Sequence, residues 1–124
     1  MPSQTEALKD RTKQFALRVV KLFRLLPKSE EARVLGRQLL RSGTSVAANY
    51  RAVCRARSRA EFVAKIGIVV EEADETVFWL ELLVDGGIVE GKRMKGLLTE
   101  ANELLAIFAA SQRTAKASSD SLKQ

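Results

Sequence analysis

Residues 58–87 read SRAEFVAKIGIVVEEADETVFWLELLVDGG. Ser58-Arg59-Ala60-Glu61 has the form of a capping box: the Ser58 hydroxyl accepts from the Glu61 amide, and the Glu61 carboxylate returns to the Ser58 amide. Phe62, Ile66, Val69, Ala73, Thr76, Leu80 and Leu83 then recur at three- and four-residue spacing, the period of one helix face. Gly86-Gly87 closes the run with residues that accept the left-handed C-terminal conformation. The stretch therefore predicts one helix over 59–86, roughly 40 Å long at about 1.5 Å per residue.

The same period extends in both directions. Ser29 is an N-cap for a helix over 29–56, with Glu30 and Glu31 favourable in its first turn. Its stripe is Ala32, Leu35, Leu39, Val46, Tyr50 and Val53. Ser42-Gly43-Thr44 has poor helix propensity and is a place for the helix to bend or loosen. The stripe keeps its phase across it, so one helix is expected. Upstream, Leu8, Phe15, Val19, Leu22 and Leu26 mark a helix over 5–26 that Pro27 stops. Downstream, Met94, Leu97, Ala101, Leu104 and Phe108 mark a helix over 91–112. Residues 114–124 are polar and Ser-rich and are expected to form a disordered tail. No stretch alternates as a strand does. The expected fold is all-α: an antiparallel up-down-up-down four-helix bundle over residues 1–113. Two helical hairpins exchanged between chains would satisfy the same pattern.

Composition narrows the chemistry. The chain has 124 residues, one small domain, and carries no histidine and one cysteine. Without imidazole there is no His-based acid/base catalysis, no Ser-His or Cys-His nucleophile pair, and no metal site that needs a histidine ligand. Gly86-Gly87 and Gly91 lack the P-loop pattern. No enzyme, cofactor or metal is expected. Lone Cys54 forms no disulfide within the chain, fits a reducing compartment, and reads as a small, partly buried hydrophobe. The polar start of the chain is no secretory signal, and its longest apolar run is far below the ~20 residues of a membrane span. A cytoplasmic protein with no membrane contact is expected.

Apolar residues exceed one seam per helix. Val20, Phe23, Leu40, Val77, Phe78, Trp79, Val84, Leu98, Leu105 and Ile107 lie beside or off the stripes. A bundle helix needs about three apolar positions in seven. Thr76-Val77-Phe78-Trp79-Leu80 points almost all the way round its helix. Either the core is wide, with Trp79 at its edge, or Val77, Phe78 and Trp79 form an oligomer interface, where aromatic residues are enriched.

Charge is segregated along the chain. Residues 1–59 carry 14 basic and 4 acidic side chains, residues 60–90 carry 1 and 8, and residues 91–124 carry 6 and 3, within an overall net charge of +6. In an up-down bundle the start of the first helix, the end of the second, the start of the third and the end of the fourth share one end. That end collects Lys9, Arg11, Lys13, Arg51, Arg55, Arg57, Arg59, Arg113, Lys116 and Lys123. Arg51, Arg55 and Arg59 are spaced i, i+4, i+8, which places them on one face wherever the run is helical. Guanidinium forks match phosphate bidentately. Arg51, Arg55, Arg57, Arg59, Lys9, Lys13 and Arg113 are thus candidate nucleic-acid-binding residues for RNA or DNA. The patch has no interleaved aromatics, so binding would be weakly sequence-specific and steeply salt-dependent. A solvated helix end, or ion pairs with a neighbouring subunit's acids, are the competing accounts. The acids at 71–75 face residues near 40–44 if the second and third helices form a hairpin, which places Arg41 near Asp74.

Particular stretches also resemble a known family. Leu40-Arg41-Ser42-Gly43-Thr44-Ser45-Val46-Ala47-Ala48-Asn49, then Arg57-Ser58-Arg59-Ala60-Glu61-Phe62, then Glu71-Glu72-Ala73-Asp74-Glu75 and Trp79-Leu80-Glu81-Leu82, look like the bacterial four-helix bundle family encoded in intervening sequences of 23S ribosomal RNA genes. They are also similar to the accessory protein of diversity-generating retroelements. The resemblance covers about residues 10–112. It implies a basic, nonenzymatic bundle that assembles as a homopentamer, and the retroelement relatives bind nucleic acid and a protein partner, a reverse transcriptase. Where the intervening-sequence members usually carry an apolar residue and a small-Glu-Gly stretch, this chain has Tyr50-Arg51-Ala52-Val53.

Overall fold

The computed structural model describes residues 3–123, and among them there are four helices and no strand. They are α1 (Gln4–Leu25), α2 (Glu30–Val53), α3 (Arg59–Asp85) and α4 (Gly91–Lys123). Three serines start three of them. Ser3 Oγ accepts from the Glu6 amide at 3.1 Å, Ser29 Oγ from the Ala32 amide at 3.3 Å, and Ser58 Oγ from the Glu61 amide at 3.1 Å. Each bond satisfies a donor that the first helical turn leaves without an intrahelical partner.

Only half of the expected capping box forms. The Glu61 carboxylate turns to Lys65 Nζ at 2.9 Å rather than back to the Ser58 amide. That lysine, with help from the Arg57 backbone amide, holds the Glu61 carboxyl below its ordinary value. Ser58→Ala should cost on the order of 1 kcal/mol in unfolding free energy. A denaturation midpoint equal to that of the wild type would reject the cap.

α3 ends as the glycine pair predicts. Gly87 has φ +73°, its amide donates to the Val84 carbonyl at 3.0 Å, and the Ile88 amide donates to the Leu83 carbonyl at 3.0 Å. This is a Schellman closure, which needs a left-handed residue where only glycine sits without strain.

α2 runs unbroken through Ser42-Gly43-Thr44. Tertiary packing outweighs the weak propensity there. Gly43 is buried, and a Cβ on it would lie 3.0–3.4 Å from three carbons of Val19. The missing side chain lets Val19 of α1 pack against the α2 backbone there. The Thr44 hydroxyl also donates back to the Leu40 carbonyl at 2.7 Å, so no polar group is stranded.

Two boundaries differ from the periodic expectation. α2 stops at Val53, not near residue 56. The Arg55 and Ala56 amides donate three residues back, to Ala52 and Val53 at 3.1 and 3.0 Å, which tightens the chain out of the helix. The chain then reaches the extended Ser58 that caps α3. At the other end, α4 does not stop at 112. It continues to Lys123 in place of the expected disordered tail over 114–124, while Gln124 lies outside the described residues. Residues 113–123 contain no glycine or proline, and alanine, arginine and lysine sustain a helix already nucleated by packing.

The core sits where the stripes converge. Phe15, Val19, Leu39, Val46, Ile66, Val69, Leu80, Leu83, Leu104 and Phe108 are essentially inaccessible. α2 packs between α1 and α3, α3 packs between α2 and α4, and the α1–α4 seam is the thinnest. Most of the surplus apolar residues are absorbed by this one chain. Val77, 8% exposed, belongs to the core and is not a free interface residue. Trp79 is half-buried, with its indole N–H donating to Glu75 Oε2 at 3.0 Å. Phe78 alone of the three faces outward, with its ring edge-on to Trp79 at 5.0 Å. No described helix is long and apolar enough to cross a membrane.

Candidate nucleic-acid interface

The helix ends meet as the chain order requires. Gln4 and Thr5 of α1, Val53 of α2, Arg59 and Phe62 of α3, and Ile107 and Thr114 of α4 line one open cleft of about 940 Å³. The basic ends of the helices therefore do come together. They do not form a single face.

Arg59, the first residue of α3, is the one candidate cation that lines this cleft. Arg55 and Arg57 stand exposed on the connection between α2 and α3. Because α2 stops at Val53, only Arg51 of the expected i, i+4, i+8 set lies on that helix, and Arg55 is carried off its face. Lys9, Lys13 and Arg51 line a separate groove of about 390 Å³ between α1 and α2, with Glu6 and Asp10 beside them. Lys9 is partly neutralised by Glu6 at 3.5 Å. Arg113 is exposed on α4 and lines neither.

Arg11 has been withdrawn from the patch. Its Nε and Nη2 donate to the two carboxylate oxygens of Glu100 at 2.7 and 2.6 Å, and Nη2 also reaches Glu103 at 2.7 Å. This bidentate clamp bridges the thin α1–α4 seam. The hydrogen bond from Arg11 holds the Glu100 carboxyl below its ordinary value, and the same bond raises the Arg11 guanidinium. A depressed folded value means that the clamp stabilises fully above pH 4.5 and is lost as pH falls through the lowered value. Glu100→Gln should cost on the order of 1 kcal/mol at neutral pH, since the clamp is partly exposed. It should also flatten the acid limb of the stability profile, and an unchanged acid limb would reject the clamp.

Cys54 lines the cleft beside a buried aromatic pair. Tyr50 stacks on Phe108 with ring centroids 5.1 Å apart. Burial first, and then the Cys54 thiol, push the Tyr50 phenol up to about 12. Its burial against Phe108 makes Tyr50 a packing residue.

Two of the acids on α3 pair across to α2. Arg41 reaches Glu72 Oε2 at 3.2 Å and also pairs with Glu75, so the interhelix contact falls to either side of the expected Asp74 partner. These carboxylates do not oppose the basic end. A second basic cluster lies outside the set expected from the sequence. Arg24, Lys28, Arg33 and Arg37 line a cleft of about 310 Å³ around the α1–α2 connection, with no acid in its lining. The i, i+4 spacing of Arg33 and Arg37 just after Pro27-Lys28 is its available signal.

In class the protein is an all-α four-helix bundle with exposed cations at its ends, in which Glu72, Glu75, Glu100 and Glu103 pair across helices. Its family follows from comparison with known proteins. Residues 6–110 match the 23S rRNA-intervening sequence protein family, and the chain belongs to that family. It is also similar to a solved structure from Bacteroides thetaiotaomicron VPI-5482, described as a protein with unknown function from the S23 ribosomal protein family. The two are 35% identical, with a TM-score of 0.78, over 84% of this chain and 96% of that one. No curated protein matches this chain.

Proposed function

We propose that this protein is a nonenzymatic cytoplasmic scaffold that holds nucleic acid by its phosphate backbone. In this reading the bundle follows an antiparallel up-down-up-down course. It assembles as a homo-oligomer, with five subunits if it follows the family resemblance. The observation that carries the nucleic-acid role is the position of Arg55, Arg57 and Arg59. All three are exposed around one helix connection, and none is among the intrachain ion pairs of the described residues. Arg51 and Arg113 extend the field around that end. Repetition in a ring would raise it to several kT. Guanidinium groups without neighbouring aromatics position a backbone and do not read bases.

The test is a titration of a labelled DNA duplex and a structured RNA at about 50 mM and about 200 mM salt. Affinities should be similar across sequences and should fall steeply with salt. Absence of binding at the lower salt would overturn the nucleic-acid role.

A further inference from the structure

α1 and α3 run level over the later part of each helix. Phe15 of α1 shares one core layer with Ala73 and Thr76 of α3. At the far end Leu25 and Leu26 share a cleft with Ile88 and Val89, the residues just past α3. Each helix has an outward strip that nothing in the chain covers. On α1 the strip is Lys13, Leu17, Lys21 and Arg24, and on α3 it is Asp74, Phe78, Glu81 and Asp85. Leu17 is 47% exposed and Phe78 is 51% exposed. None of the six charged residues takes part in an intrachain ion pair among the described residues. Both strips span roughly 16 Å and stay within about 80° of helix surface.

We infer that these strips are the two halves of a head-to-tail contact, the acidic α3 strip of one copy lying on the basic α1 strip of the next. The inference rests on the assembly part of the proposed function and names the surfaces that make it. Rotation about an axis along the bundle keeps residues at equal height. Lys13 then meets Asp74, Leu17 meets Phe78, Lys21 meets Glu81 and Arg24 meets Asp85. The pattern is an apolar centre with a charged rim, and the charges are opposite at all three rim positions. One turn earlier Asp10 would meet Glu71, a like-charge pair, so the complementary strip stops at Lys13. Because the halves are different surfaces, the contact is heterologous, and it closes into a ring when the rotation permits. It also accounts for exposed Phe78, which the core does not use.

The experiment measures mass in solution by light scattering, with helical content followed by circular dichroism. The wild type should be a multiple of the protomer mass at micromolar concentration. E81K/D85K reverses two rim charges of one strip, and K21E/R24E reverses the two that face them on the other. Each should fall to the monomer mass with its helical signal unchanged. The chain carrying all four substitutions again has opposite charges at both altered pairs, with Lys13 and Asp74 untouched, and should recover the oligomer mass. Should a double variant lose its helical signal, Phe78→Gln, which alters no charge, supplies the same readout. An oligomer that survives the double variants, or a four-substitution chain that stays monomeric, would reject this contact and leave assembly standing. A monomeric wild type would reject assembly itself.

Discussion

Phe108→Ala should lower the unfolding free energy by about 3–5 kcal/mol, the range for deleting a fully buried aromatic ring. Phe108 has no accessible surface and stacks on Tyr50. Removing it leaves a void between α4 and the end of α2, where Val53 and Cys54 close the helix. Total stabilities of small domains are about 5–15 kcal/mol, so the variant would sit near the edge of folding. Urea denaturation should show a lower midpoint at an unchanged slope, since the surface exposed on unfolding hardly changes. A loss smaller than about 1 kcal/mol would mean that α4 does not close the core at this point.

The triple replacement of Arg55, Arg57 and Arg59 by Gln should weaken RNA and DNA binding by at least about tenfold at low salt. It should flatten the salt slope by roughly one unit for each phosphate that the variant no longer neutralises. All three side chains are exposed and lie outside the apolar core, so the fold should survive. The weakening should be similar across sequences, because backbone contacts carry no base information. Arg11→Gln is the internal control. Its guanidinium is already held by Glu100 and Glu103, so its removal should reduce stability more than binding. Oligomer mass has to be followed alongside affinity, because a neighbour's acids that neutralise part of the ring would make the triple variant change assembly first. Affinity unchanged in the triple variant at constant mass would move the binding surface elsewhere. The first place to look would be Lys28, Arg33 and Arg37 at the opposite end.

Local chemistry made much of this molecule legible. Ser29, Ser58 and the Gly86-Gly87 pair marked helix ends correctly because capping bonds join residues only a few positions apart. The stripes marked the core because side chains three and four apart must share a face. Arg41, expected beside Asp74, pairs with Glu72 and Glu75, since hairpin arithmetic gives height to within a turn but not rotamer.

By itself, then, the sequence determined four helices, their core faces, the segregation of charge and the family. It could not determine which exposed-looking residues the tertiary structure would claim. Arg11 looks like its basic neighbours until α4 brings Glu100 to it from 89 residues away. Val77 and Phe78 are adjacent and alike in hydropathy. Yet packing buries the first and leaves the second in solvent. Arg55 keeps its helical spacing on paper, but α2 unwinds before reaching it so that Ser58 can cap the next helix. Each of these outcomes depends on residues far apart in the chain or on a compromise between two helices. Periodicity and propensity act within a few turns and carry no information about either.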